Sequence, residues 1–141
     1  MIVFDTNVLS AVMSPNRDER VVSWIDRIPK GEGFTTSITL YEIASGIASL
    51  KDVRRKQQLE ADFLQLHSRI FRLSTLVLDA RAALIAGELG GRGKLEGRTI
   101  PLADLFIAAI AIANGATIAT RNVRQFEDLG APIVNPWDDF D

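Results

Sequence analysis

A three-layer α/β/α sandwich around a largely parallel, five-stranded sheet is the fold this sequence predicts, and three observations carry the prediction. Short runs rich in β-branched and aromatic residues alternate with longer segments of helical period along the whole chain. The first run, Ile2-Val3-Phe4, is apolar on both faces, as a strand covered on both sides must be. The segment from Pro101 to Asn114 is apolar nearly all round, which suits a helix packed in a core.

Taken in order, residues 6–12 follow the first strand as a helix that Asp5 or Thr6 can cap, and Ser14-Pro15-Asn16 breaks it. Val21, Val22, Trp24, Ile25 and Ile28 recur at mostly helical spacing and predict a second helix over 18–28, ended by Pro29, Gly31 and Gly33. Phe34 to Ser37 is the predicted second strand. A helix over 38–50 carries Leu40, Ile43 and Ile47, and Thr39 stands three residues ahead of Glu42, the spacing of a capping box. Residues 54–69 form a longer amphipathic helix with Leu59, Phe63, Leu66 and Ile70 on its apolar face. A third strand is predicted at 70–73 and a helix at 78–89. Gly90-Gly91-Arg92-Gly93-Lys94 is read as ending that helix and opening a basic loop that reaches Arg98. Pro101 suits a first helical position, and Gly115 closes the apolar helix. The fourth strand is predicted at 116–120 and the fifth at 132–134, with a helical turn at 123–129 between them.

Length and composition fit one domain over residues 1–141: 47% of the residues are hydrophobic and 24% charged. With no cysteine, disulfides, thiolate metal sites and cysteine nucleophiles are excluded. The N-terminus shows no secretory pattern, and the most apolar window, Leu102 to Ala113, is roughly half a membrane span, so a cytoplasmic protein without a membrane partner is expected. A net charge of −2 gives no global attraction for nucleic acid, which would have to meet a local basic patch.

Four polar residues fall at strand-to-helix junctions or in first helical turns: Asp5, Glu42, Asp104 and Asn122. Crossovers in a parallel sheet bring such junctions to one edge, where these residues can converge. Carboxylates gathered there repel one another unless a divalent ion neutralises them. Oxygen donors, with a single histidine in the chain, favour Mg²⁺ or Mn²⁺. Each residue also has a simpler explanation. Asp5 and Asn122 can be helix caps, Glu42 the acidic half of a capping box, and Asp104 a first-turn acid facing the helix dipole. For Asp104 the simpler explanation is weaker, because its neighbours Leu102, Leu105 and Phe106 mark a buried helix. His67, on the amphipathic helix, is read as a surface residue, so no Ser-His-Asp arrangement is available.

Four motifs carry a family resemblance, the last of them in two parts. Ile2-Val3-Phe4-Asp5-Thr6-Asn7, Leu40-Tyr41-Glu42-Ile43-Ala44-Ser45-Gly46 and residues 100–109, with Asp104 at their centre, resemble the three acidic motifs of PIN-domain proteins. Residues 119–126 and Val134-Asn135-Pro136-Trp137 resemble the closing region of the VapC and FitB-like branch. The resemblance implies a metal-dependent endoribonuclease, the toxin of a bacterial toxin–antitoxin pair. Asp5, Glu42 and Asp104 would be its metal-site acids, Thr6 and Asn7 the polar residues beside the first, and Thr120 a hydroxyl near the fourth position. It also implies a homodimer and a cognate antitoxin that covers the site. Many members have an aspartate where this chain has Asn122, so one ion is expected to bind more readily than two.

RNA approaching an acidic centre needs bordering cations, for which the candidates are Arg92, Lys94 and Arg98 on the expected loop and Arg121 and Arg124 beside Asn122. The amphipathic pair over 38–50 and 54–70 is the candidate protein-binding surface. Two other readings share the acidic edge. A Mg²⁺-dependent phosphotransfer domain normally places a lysine late in the chain, whereas the last lysine here is Lys94. A catalytically silent binding module would account for Asn122 as lost activity.

Overall fold

Strand β1 (Ile2–Phe4) lies in the middle of the sheet, in parallel register with β2 (Gly33–Thr36) on one side and β4 (Thr117–Ala119) on the other. β3 (Thr75–Leu76) extends the sheet beyond β2, and β5 (Ile133–Val134) extends it beyond β4. The order is β3-β2-β1-β4-β5 and every pairing is parallel. The computed structural model describes residues 1–13, 17–68 and 74–138.

Alternation along the strands divides the core into two. Val3, Phe34, Leu76, Ile118 and Ile133 pack with α5 (Ala80–Leu95), α6 (Leu102–Ala113) and α7 (Val123–Glu127). Ile2, Phe4, Ala119 and Val134 turn the other way. They meet α1 (Thr6–Met13), α2 (Glu19–Asp26), α3 (Ser37–Ala48) and α4 (Val53–Leu66). Helices therefore cover both faces, and the two-sided apolar character of β1 follows from its central place. Phe4 is fully buried and meets Trp24 of α2 edge to face, at 6.1 Å between ring centroids.

Several local expectations are corrected. α5 does not stop at Leu89 but runs through the glycines to Leu95, so Arg92 and Lys94 occupy its last turn and not a loop. There the glycines permit close packing on the following segment: a Cβ on Gly93 would lie 2.5 Å from Ile100 Cδ1, and one on Gly90 would lie 3.1 Å from Leu105 Cδ2. The Thr39–Glu42 capping box does not form. Thr36 is the N-cap of α3 and its Oγ1 accepts the N–H of Thr39, which lies inside the helix. Pro101 is the residue before α6 rather than its first. The strand expected at 70–73 and the break at Ser14-Pro15-Asn16 lie outside the described residues, and the third strand is formed at Thr75–Leu76. Gly115, at φ +63°, ends α6 as anticipated.

Candidate active site

The chain leaves β1 toward β2 and β3 on one side, then returns to build β4 and β5 on the other. The carboxyl ends of β1 and β4 therefore flank the point where the winding reverses, the crevice in which open α/β sheets bind ligands. Asp5 follows β1 and Thr120 follows β4. They are joined directly: Thr120 Oγ1 donates to Asp5 Oδ2 at 2.8 Å, across 115 positions of sequence.

Asp5 is 5% exposed. Its Oδ1 accepts the N–H of Thr6 at 2.8 Å, and its Oδ2 also accepts Asn7 Nδ2 at 3.0 Å. The main-chain N–H of Asp5 donates to Ala119 O, and its carbonyl accepts from Val8 and Leu9 as α1 begins. Burial pushes the Asp5 carboxyl from 3.8 up to about 6, against the hydrogen bonds of Thr120 and Thr6, and the charges of Asp104 and Glu42 push the same way. Asp104, in the first turn of α6, is also raised, mainly by burial and secondarily by Glu42. The three carboxylates thus feel one another, as convergence at one edge requires.

Glu42 is placed by α3. Its Oε1 accepts the Thr6 hydroxyl at 2.6 Å. Thr6 also contacts Thr39, which contacts Thr36 in turn. Thr36 was not singled out from sequence, and Thr39 was read only as a capping-box residue. The signal was a run of hydroxyl residues (Thr35, Thr36, Ser37 and Thr39) where a strand becomes a helix.

Asn122 joins the cluster through its main chain, donating N–H to Thr120 Oγ1 at 2.9 Å. Its side chain is exposed and makes no cap bond to α7. Arg121 is anchored beside it: its N–H donates to Asn7 Oδ1 and its guanidinium sits 4.8 Å over the Trp137 ring. Trp137 Nε1 in turn donates to Asp18, the cap of α2. Arg124 is exposed in the last turn of α7. Arg92 and Arg98 line a separate hollow with Glu96, Glu127 and Asp128, and Arg98 pairs with Glu96 at 3.4 Å. Lys94 lines a groove between α5 and α6 with Leu102 and Phe106. The cations Arg121 and Arg124 thus follow β4, whereas the described neighbours of the other three lie elsewhere. His67 is corrected from a surface residue: it is partly buried, contacts Phe63 and lies 3.4 Å from Thr75 Oγ1.

The donor chemistry of the cluster fits a hard divalent cation: it consists of oxygens, and its carboxylates destabilise one another's charge. Asp5 has committed three of its roughly four acceptor positions, leaving room for a further partner. Among the described residues no group of three acidic or histidine side chains stands close enough to hold an ion together.

The fold and the site define an all-parallel α/β domain whose switch point carries the buried Asp5, with Glu42 and Asp104 near enough to act on its charge. The family model for the PIN domain matches residues 2–132. The chain is 33% identical to the toxin FitB of Neisseria gonorrhoeae, covering 99% of this chain and 100% of that protein. It is 34% identical to the VapC ribonuclease Y4jK of Sinorhizobium fredii, covering 98% and 99%. The crystal structure of FitAcB from Neisseria gonorrhoeae superposes with a TM-score of 0.87 at 33% identity, covering 97% of this chain and 99% of that one. This chain belongs to the PIN-domain family.

Proposed function

We propose that the chain is a divalent-metal-dependent endoribonuclease, the toxin of a toxin–antitoxin pair, acting as a single nuclease domain over residues 1–141 in the cytoplasm. Likeness to a toxin and to a ribonuclease over nearly the full length supports the activity. The observation that carries the site is Asp5: a buried carboxyl at the switch point, raised to about 6 and facing two further acids. Among the described residues no helix is long and apolar enough to cross a membrane.

In this reading Asp5 and Asp104 hold a Mg²⁺ or Mn²⁺ ion, and Glu42 shares in binding or orients the attacking water through the oxygen not engaged by Thr6. When bound, such an ion would acidify a water and withdraw charge from the non-bridging phosphate oxygens. Thr120 and Asn7 fix the Asp5 carboxylate, so its orientation is set before substrate arrives. Asn122 adds no charge, which favours one ion over two. Arg121 and Arg124 meet the RNA backbone beside the site, and Arg92, Lys94 and Arg98 extend the cationic surface away from it. The antitoxin covers the α3 and α4 surface, where Tyr41 and Leu64 are 69% and 70% exposed, and the toxin works as a homodimer.

The test is cleavage of mixed RNA by purified protein with Mn²⁺, with and without EDTA, and with Asp5→Asn. Cleavage that EDTA abolishes and that is at least about a hundredfold slower in the folded variant supports the reading. Full activity in Asp5→Asn would remove Asp5 from the mechanism. A silent binding module is the second reading, favoured by Asn122 and by the spacing of the acidic side chains. It predicts no EDTA-sensitive cleavage.

A further inference from the structure

Thr36 and Thr39 are both 0% exposed, and their hydroxyls lead toward Glu42. Thr36 Oγ1 accepts the Thr39 N–H at 3.1 Å and stands 3.2 Å from Thr39 Oγ1. Thr39 Oγ1 stands 3.4 Å from Thr6 Oγ1, which reaches Glu42 Oε1 at 2.6 Å. Each hydroxyl carries one proton, and an ionised carboxylate only accepts. Thr6 must therefore donate to Glu42, leaving it only an acceptor toward Thr39. Thr39 then donates to Thr6, and Thr36 donates to Thr39. Every donor in the chain points toward the carboxylate, and such chains polarise in one direction.

We propose that Thr39 is a positioning residue for Glu42, acting through the ordered hydroxyl chain Thr36–Thr39–Thr6. The cap of α3 needs only the Thr36 oxygen and the Thr39 N–H, so the Thr39 hydroxyl is surplus to it. Its β-branched side chain is stiff and enclosed, so it holds the Thr6 hydroxyl in the orientation that occupies Glu42 Oε1. The other carboxylate oxygen would then be the one available to an ion or its water. This role rests on the nuclease reading above.

The test compares Thr39→Val, which removes the hydroxyl at constant shape, with Thr39→Ser, which keeps it. Thermal melting checks folding, steady-state RNA cleavage gives kcat and KM, and calorimetry with Mn²⁺ alone gives metal affinity. The expected result for Thr39→Val is a kcat lower by about tenfold, KM within about twofold, weaker Mn²⁺ binding, and recovery of both in Thr39→Ser. Unchanged kcat and Mn²⁺ affinity in Thr39→Val, or a folded Thr39→Ser no better than the valine variant, overturns the proposal. Should Thr39→Val not fold, Thr39→Ala takes its place in the same comparisons. A parent lacking EDTA-sensitive cleavage defeats the nuclease reading instead. Calorimetry then decides alone: weaker Mn²⁺ binding in Thr39→Val sustains the positioning role, and equal binding ends it. A parent that neither cleaves nor binds Mn²⁺ ends both.

Discussion

Ionising Asp5 in the folded protein is unfavourable, because burial removes the carboxylate from water and two acids face it. A carboxyl moved from 3.8 to about 6 corresponds to about 3 kcal/mol between the protonated and ionised forms. The folded state binds this proton more tightly than the unfolded chain does. Its contribution to stability is therefore fully present below about pH 4 and is lost as pH rises to about 6. Asp5→Asn removes the titration. In the neutral side chain one oxygen still accepts from Thr120 and Asn7, while its NH₂ opposes the N–H of Thr6. The gain at pH 7.5 is therefore expected at about 1–2 kcal/mol rather than the full figure. Chemical unfolding of both proteins at pH 4, 5, 6 and 7.5 checks this. The variant should gain on the parent between pH 4 and about 6 and hold that gain to pH 7.5, and a constant difference over the whole range would show that Asp5 is not the buried acid described here.

At the scale of elements, α5 is the clearest case of a sequence signal with the opposite meaning. Three glycines among Gly90-Gly91-Arg92-Gly93 read as a break, yet the helix continues because two of them let another segment approach. Gly91 is exposed and its added Cβ would meet nothing within 4 Å, whereas that of Gly93 would meet Ile100 at 2.5 Å. Gly91→Ala should raise stability by about 0.5–1 kcal/mol through helix propensity, while Gly93→Ala should lose that gain or fall below the parent. Equal stabilisation by the two changes, measured by denaturant unfolding, would contradict the packing. The elements legible in the sequence were those whose pattern is local. β1 is apolar on both faces, the apolar period of α6 runs up to Gly115, and the helical spacing of Val21, Trp24 and Ile25 marks α2. Those that were not depend on distant contacts. Thr36 takes the cap that spacing assigned to Thr39, because Thr39 is turned inward toward Thr6, and His67 is drawn toward Thr75 of the neighbouring strand. The acids Asp5, Glu42 and Asp104 were marked in the sequence by their positions at junctions, and Thr6 and Thr120 by the family resemblance, whereas nothing in the local pattern marked Thr36.

For the molecule as a whole, the site joins segments from the beginning, middle and end of the chain. Asp5 comes with β1, Glu42 with α3, Asp104 with α6 and Thr120 with β4. Unfolding disperses them, so a ligand that engages them together binds the folded state alone and must stabilise it. Burial opposes the ionisation of Asp5 and Asp104, and the neighbouring acids oppose it further. Mn²⁺ is expected to relieve that opposition and raise the melting temperature of the parent at pH 7.5, reversibly with EDTA. At a hundred times its dissociation constant the stabilisation should approach about 2.7 kcal/mol. The same titration on Asp5→Asn and Asp104→Asn should produce a much smaller rise, since each lacks a charge the ion would balance. Thermal melts of the three proteins over a Mn²⁺ series separate the two functional readings independently of any RNA. Parallel responses in all three, or none in the parent, would favour a silent binding module, whereas a rise confined to the parent places the ion between β1 and α6.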